Sequence, residues 1–472
     1  MNPMTAPRTS GLRSRPLRLS WSWIVVTGII VAMFYPGIMS NDSLASLDQA
    51  RTLEFTSWHP PIMALIWSLL DRLVEGPALM LAAQAVLYAV AAGRLCAEAF
   101  PSLMRRVPSS AIVLLFALFP PALALNGMIW KDAWMSGLLL LSLAYLFRMA
   151  STTDRKPRLR AFLIVGSSCL LATAFRHNAV AATAGLLAGA CYFMWPHRIL
   201  TLRLLGACAG GALMAGLFVL LVSSATRLIA QPAHVTTPIL MHDIAGIIVK
   251  SGEPAVAARY ALALGPALSD RPKRFASDIE RTYTPAAAGP ILRTSRRRTA
   301  PFAINVYRLD HDAASVRRAW IGMVKRYPGA YLRHRGNAFA CLLQLCGTSG
   351  WVKHSYVLNP AYVKVDASAP IQSALRRVFL NPSWVRLYAP VFWLVIVLAG
   401  GVIGLVRLRL QAGLLPFMAL SGVGLAVSLF FTSPIESYRY MHWVIVLGWI
   451  MCWMAAEHAL RSRQEGAATS PA

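Results

Sequence analysis

Acidic residues are scarce in this chain. Its 472 residues hold 19 Asp and Glu against 46 Lys and Arg, a formal net charge of +27, and only 14% are charged at all. A soluble protein of this length needs far more charge to cover its surface, so the scarcity argues against a soluble globular fold. In a soluble protein the basic excess would point to nucleic acid. Here basic loops that fix membrane topology account for it, and nucleic acid is not an expected partner. Cysteine is also sparse. Cys96, Cys169, Cys191, Cys208 and Cys452 fall in apolar runs and read as small apolar side chains. Cys341 and Cys346 lie five apart, wrong for one helix face, so neither a metal spacing nor a disulfide pattern is expected. No internal repeat is present, which removes the usual sign of a transporter built from inverted halves.

What the chain has is apolar length: 57% of its residues are hydrophobic and the mean hydropathy is +0.53. Long unbroken runs lie near 21–39, 77–99, 109–127, 133–149, 161–175, 179–195, 203–229, 385–406, 412–432 and 440–459. Barrel strands would alternate over about 10 residues, so the expected fold class is an all-α polytopic membrane protein with ten spans. The first run follows Arg8, Arg13, Arg15 and Arg18 and ends in Pro-Gly, without a small-residue cleavage site, so it reads as a retained span. The stretch 60–74 is apolar but short and opens with two prolines.

Counting it as an interfacial helix, with the N-terminus inside, places 17 Lys and Arg in the inner loops against 5 in the short outer ones. Counting it as a span would put the basic loops outside. The expected organisation is an N-terminal transmembrane catalytic module over 1–230, a mixed extracytoplasmic region over 231–383, a three-span module over 384–460 and a cytoplasmic tail over 461–472. The region 231–383 carries 21 Lys and Arg and 8 Asp and Glu, and its RTSRRR run at 293–298 reads as a solvated loop.

On this topology the compact polar motifs emerge on one face. They are SNDS (40–43), SWHPP (57–61), NGMIWKD (126–132), FRHN (175–178) and SPIESYRY (433–440). Ionisable groups beside spans are costly and usually functional. Asp42, Asp48 and Asp132 are the acids; Lys131, Arg176, His177 and Arg439 are cations or potential cations. A carboxylate beside a cation cluster suits phosphate-activated group transfer: cations hold the phosphate and the carboxylate takes a proton from the attacking hydroxyl. Asp42 is the first candidate base, with Asp132 second. Lys131, Arg176 and Arg439 are the candidate phosphate ligands, and His59, His177, Tyr438 and Asp48 could orient substrate. Each also has a structural reading: Asp42 with Ser43 as a helix cap, Lys131-Asp132 as a local pair, Arg176 and Arg439 as headgroup anchors, Asp48 as a solvated helix acid.

The order of these features resembles the GT-C superfamily of integral membrane glycosyltransferases. YPGIMSNDS…WHPP, WKD, RHN and YRY resemble a bacterial branch of it, over roughly 1–230 and 384–460. The resemblance implies a polyprenyl-phosphate sugar donor and a lipid, glycan or protein acceptor in the cell envelope. It implies transfer on the outer face of the cytoplasmic membrane; the ten-span count with the basic-loop rule puts both termini in the cytoplasm. It also places the first-loop acid at Asp42, as a base or a metal ligand. No second acid adjoins Asp42, so the resemblance leaves a divalent cation open. A flippase of lipid-linked saccharide is the alternative from another class, and a polysaccharide polymerase or ligase is the nearer one.

Overall fold

A computed structural model describes residues 21–195, 199–292, 300–303, 313–346, 387–408 and 413–469. The N-terminal arginines and the RTSRRR run lie outside the described residues. The chain folds into helices α1 (Ser22–Phe34), α2 (Asn41–Thr52), α3 (Pro61–Asp71), α4 (Ala78–Ala99), α5 (Leu103–Arg106), α6 (Ser109–Ala117) and α7 (Pro120–Asn126). Next come α8 (Lys131–Ser151), α9 (Arg155–Phe175), α10 (Ala179–Met194), α11 (Leu200–Ile229), α12 (Thr237–Lys250), α13 (Pro254–Leu264) and α14 (Phe275–Thr282). The last are α15 (Ala313–Arg326), α16 (Pro328–Leu342), α17 (Pro390–Leu408), α18 (Leu415–Thr432) and α19 (Tyr438–Thr469).

This is an all-α polytopic membrane protein. Among the described residues, six helices, α4, α8, α9, α11, α18 and α19, are long and apolar enough to cross a membrane. The expected run at 109–127 is broken: Pro120 and Pro121 open α7, and α6 meets it at 71°. Proline removes a helical donor and drives the preceding residue out of the α region, so the span bends there. The runs at 21–39, 179–195 and 385–406 hold shorter apolar helices. Helix α11 leaves Leu205, Leu213 and Leu220 exposed, as a lipid-facing helix does. Helices α10 and α18 approach so closely that a Cβ on Gly185 would lie 2.3 Å from the Ser421 nitrogen. Small residues at such crossings let backbones touch without water to drive them together.

Helix α3 buries Met63, Ala64 and Trp67 and leaves Leu69 exposed. It is pinned to α2 by Arg51, which bonds Asp71 at 2.8 Å. Helices α12 to α15 and the start of α16 share a separate apolar cluster around Met241, Ile244, Phe275, Val316 and Met323. A short parallel pair, β1 (Phe55–Thr56) with β2 (Ala230–Gln231), ties the first loop to the end of α11. One expectation is corrected here: Cys341 and Cys346 form a disulfide. Helix α16 ends at Leu342, and Gln344 adopts a positive φ of 65°, so the chain folds back. The spacing that fails on a helix face works at a helix end, where the two Cα atoms come within 4.9 Å.

Candidate active site

The site starts at the turn after α1. Ser40 is the N-cap of α2; its hydroxyl accepts from the Ser43 N–H, and the Ser43 hydroxyl accepts from the Ser40 N–H at 3.0 Å. The capping role considered for Asp42 therefore belongs to Ser40, with Ser43 as its partner, and the Asp42 carboxylate turns elsewhere. Ser43 Oγ also donates to the Ile129 carbonyl at 2.7 Å, and the Ile38 N–H donates to the Gly127 carbonyl at 3.1 Å. Gly127 sits against Phe34 so tightly that a Cβ would meet the ring at 2.3 Å. These contacts seat the first loop on the segment before α8, which sets Asp42 beside Lys131.

Lys131, the first residue of α8, donates from Nζ to His59 Nδ1 at 2.9 Å. An ammonium only donates, so the His59 Nδ1 accepts and the neutral ring carries its proton on Nε2. Burial, with Lys131 next to it, pushes the His59 pKa down to about 3, so the ring stays neutral at physiological pH. Arg439, near the start of α19, donates from Nη1 to Asp42 Oδ2 at 2.9 Å. Its guanidinium lies 4.7 Å from the Trp130 ring centre, and Trp130 Nε1 donates to Ser40 Oγ at 2.7 Å. Burial alone would raise the Asp42 carboxyl, but Arg439 and Lys131 outweigh it and hold it well below the usual carboxylate range. Arg176, in the extended turn after α9, pairs with Asp132, donates from Nε to Asn178 Oδ1 at 2.9 Å and lies 4.6 Å over the Tyr440 ring.

Asp42, His59, Lys131, Arg176, Arg439 and Tyr440 line one cavity of about 960 Å³. All five polar motifs of the sequence reach it: Asn41 and Asp42, Trp58 and His59, Lys131, Arg176 to Asn178, and Ser433 to Tyr440 through Ser433, Pro434, Arg439 and Tyr440. His177 lies on its wall. Three of the nine candidate residues do not. Asp132 is fully buried behind Arg176, so its contact is with that cation and not with the cavity. The pairing expected with Lys131 gives way to Arg176, because Lys131 reaches across to His59. Asp48 is exposed on the far part of α2, and Tyr438 is buried edge-on to Tyr388 at 5.7 Å. Tyr440, two residues on, takes the cavity position instead; two residues along a helix turn a side chain by about 200°. Trp130, Gln49 and Asn178 escaped the sequence reading, although Trp130 and Asn178 sit inside quoted motifs. His234 and Val235, from the segment after β2, gave no sequence signal at all.

Among the described residues, the cavity wall offers one carboxylate, already bonded by Arg439, against Lys131, Arg176 and Arg439. That donor set does not fit a divalent cation, which needs several oxygen ligands. The Cys341, Cys346 and Glu436 cluster offers no thiolate, since its cysteines are joined. The wall suits an anion that several cations can share with a single base.

Fold and site thus define a multi-pass helical membrane protein with a cavity whose described wall sets Lys131, Arg176 and Arg439 around one carboxylate. No protein-family model matches the chain, and no curated protein is similar to it in sequence. Among solved structures, the crystal structure of ArnT from Cupriavidus metallidurans bound to undecaprenyl phosphate is similar over 93% of this chain and 79% of that chain, at 15% identity and a TM-score of 0.32. A likeness at that score carries no argument about the site.

Proposed function

We propose that the chain is a membrane glycosyltransferase of the GT-C kind, which moves a sugar from a polyprenyl-phosphate donor to a lipid, glycan or protein of the cell envelope. The observation that carries the reading is the Asp42 carboxylate set against Arg439, with Lys131 and Arg176 on the same cavity wall. In the proposed reaction an acceptor hydroxyl attacks the anomeric carbon, and the bond from that carbon to the phosphate oxygen breaks. Asp42 takes the hydroxyl proton. Polyprenyl phosphate leaves with its charge held by Arg439, Lys131 and Arg176. Among the described residues only Arg439 bonds the Asp42 carboxylate, through Oδ2, so Oδ1 serves the acceptor. His59 offers its Nε2 proton to a sugar hydroxyl, and Asp132 orients Arg176.

The cavity opens to the outer side of a bacterial cytoplasmic membrane in this reading, with both termini inside. The excess of basic residues in the opposite loops supports that orientation. An outward cavity has no access to cytoplasmic nucleotide sugars, which supports a lipid-carried donor. Purified protein should transfer sugar from a polyprenyl-phosphate donor, with inhibition by polyprenyl phosphate and none by the phosphate-free alcohol. Equal inhibition by both would contradict the reading. Cysteine labelling from outside the cell should modify a residue near 300 and spare one near 155; the reverse would overturn the orientation.

A further inference from the structure

A buried Asp–Arg pair outside the cavity lining lies in the helices that follow α11. Asp243 on α12 and His334 and Arg335 on α16 are all essentially without exposed surface. Asp243 Oδ1 forms ion pairs with Arg335, whose Nε lies 2.7 Å away, and with His334, whose Nε2 lies 3.1 Å away, and Oδ2 accepts a hydrogen bond from Trp320 Nε1 at 2.8 Å. His334 Nδ1 in turn accepts from the Tyr283 hydroxyl at 2.8 Å. The carboxylate is thus enclosed by two ion-pair partners on α16 and one hydrogen-bond donor on α15, and a buried charge so paired is costly to disrupt.

Arg335 does not spend its whole fork on Asp243. Its Nη1 donates to the Ser433 carbonyl at 3.0 Å. Ser433 is the cap at the end of α18 and lines the cavity, and the segment from it runs directly into Arg439 and Tyr440. The same segment is gripped twice more: the Ala288 N–H donates to the Pro434 carbonyl at 2.8 Å, and the Glu436 N–H donates to the Ala286 carbonyl at 2.7 Å. The first loop is gripped on the other side, where the Ser57 N–H donates to the Gln231 carbonyl at 2.8 Å and the Ala233 N–H to Ser57 Oγ at 2.7 Å. The helical region after α11 therefore holds both the strand that leads to His59 and the turn that leads to Arg439.

We infer that Arg335, anchored by Asp243, is a positioning residue for Arg439: it fixes the 433–436 turn and so the distance between Arg439 and Asp42. This rests on the proposed role of Arg439 in holding the donor phosphate. It also gives the helices after α11 a task, to span the cavity and keep its two walls in register.

Arg335→Lys is the sharper test, since an ammonium can still face Asp243 but cannot fork to Ser433; Arg335→Gln is the second variant. Ala287 and Ile435 form an isolated antiparallel bridge whose flanking hydrogen bonds make it the close, non-hydrogen-bonded kind of pair. Ala287→Cys with Ile435→Cys should therefore oxidise to a disulfide, read by peptide mapping in the purified full chain. Crosslinking should slow by about tenfold in the Arg335→Lys background, the scale of one lost charge-assisted hydrogen bond. Binding of a polyprenyl-phosphate sugar should weaken by about the same factor, and the formed crosslink should restore it. Crosslinking at the unaltered rate, or weakened binding that the crosslink does not restore, would overturn the inference. Unchanged donor binding in Arg439→Ala would instead overturn the functional reading, and the crosslinking rate alone would then judge the clamp.

Discussion

Two of the aspartates paired with arginines, Asp42 and Asp243, live under opposite conditions. The Asp42 and Arg439 side chains are 36% and 16% exposed, and one carboxylate oxygen bonds one guanidinium nitrogen. Asp243 and Arg335 are 1% and 0% exposed, and two ion-pair partners and the Trp320 indole close around the carboxylate. An open pair with few bonds can exchange its partner for a ligand. A closed pair cannot, and its removal leaves a charge buried without compensation. The same residue types thus serve chemistry in one place and scaffolding in the other.

The largest difference should appear when each carboxylate is neutralised. Asp243→Asn leaves the buried Arg335 charge without its anion and should cost about 3–5 kcal/mol of stability, read as lost folded protein after heating in detergent. Asp42→Asn, at the more exposed pair, should cost clearly less stability; equal losses would erase the contrast. Next comes ligand exchange. Arg176→Ala and Arg439→Ala should each weaken donor binding by about 1.5–3 kcal/mol, measured at matched expression. Unchanged affinity in both would reduce these cations to headgroup anchors.

The pH profile sharpens the comparison further. Arg439 and Lys131 keep Asp42 ionised below the usual carboxylate range. A group with a lowered folded pKa stays charged as pH falls, so the wild-type rate should show no acid limb from Asp42 above about pH 4. In Arg439→Gln, burial is less opposed, and the limb of the residual activity should move upward in pH. A limb that stays put would mean that Arg439 does not set the base strength. The smallest effects belong to the exposed groups. Asp48→Asn should change both stability and transfer within about 0.5 kcal/mol, and a larger loss would show that the open face of α2 also binds substrate.

Much of this architecture is legible in the residues. The apolar runs fix the helices, because each must satisfy its own backbone in lipid. The five polar motifs fall at one end because successive spans alternate direction, so a count of basic loops assigns each motif its side. What the sequence hides is pairing. Nothing in WKD says that Asp132 will turn to Arg176 while Lys131 reaches His59. Tyr438 and Tyr440 are indistinguishable until the phase of α19 is known. Asp243 and the RHR run at 333–335 look like solvated charges among many in a basic region, and only tertiary contact reveals them as a closed core. The Cys341–Cys346 link was missed for a similar reason: it depends on where α16 stops.

The central claim is that Asp42 is the base of a transfer whose phosphate Arg439 helps to hold. Sugar transfer by purified Asp42→Asn, with folding and donor binding checked on the same sample, tests it most directly. Normal insertion, donor affinity near that of the wild type and a transfer rate lowered by at least about 10²-fold are expected. Near-normal transfer in Asp42→Asn, alongside an inactive Asp132→Asn, would contradict it and move the base to the buried aspartate.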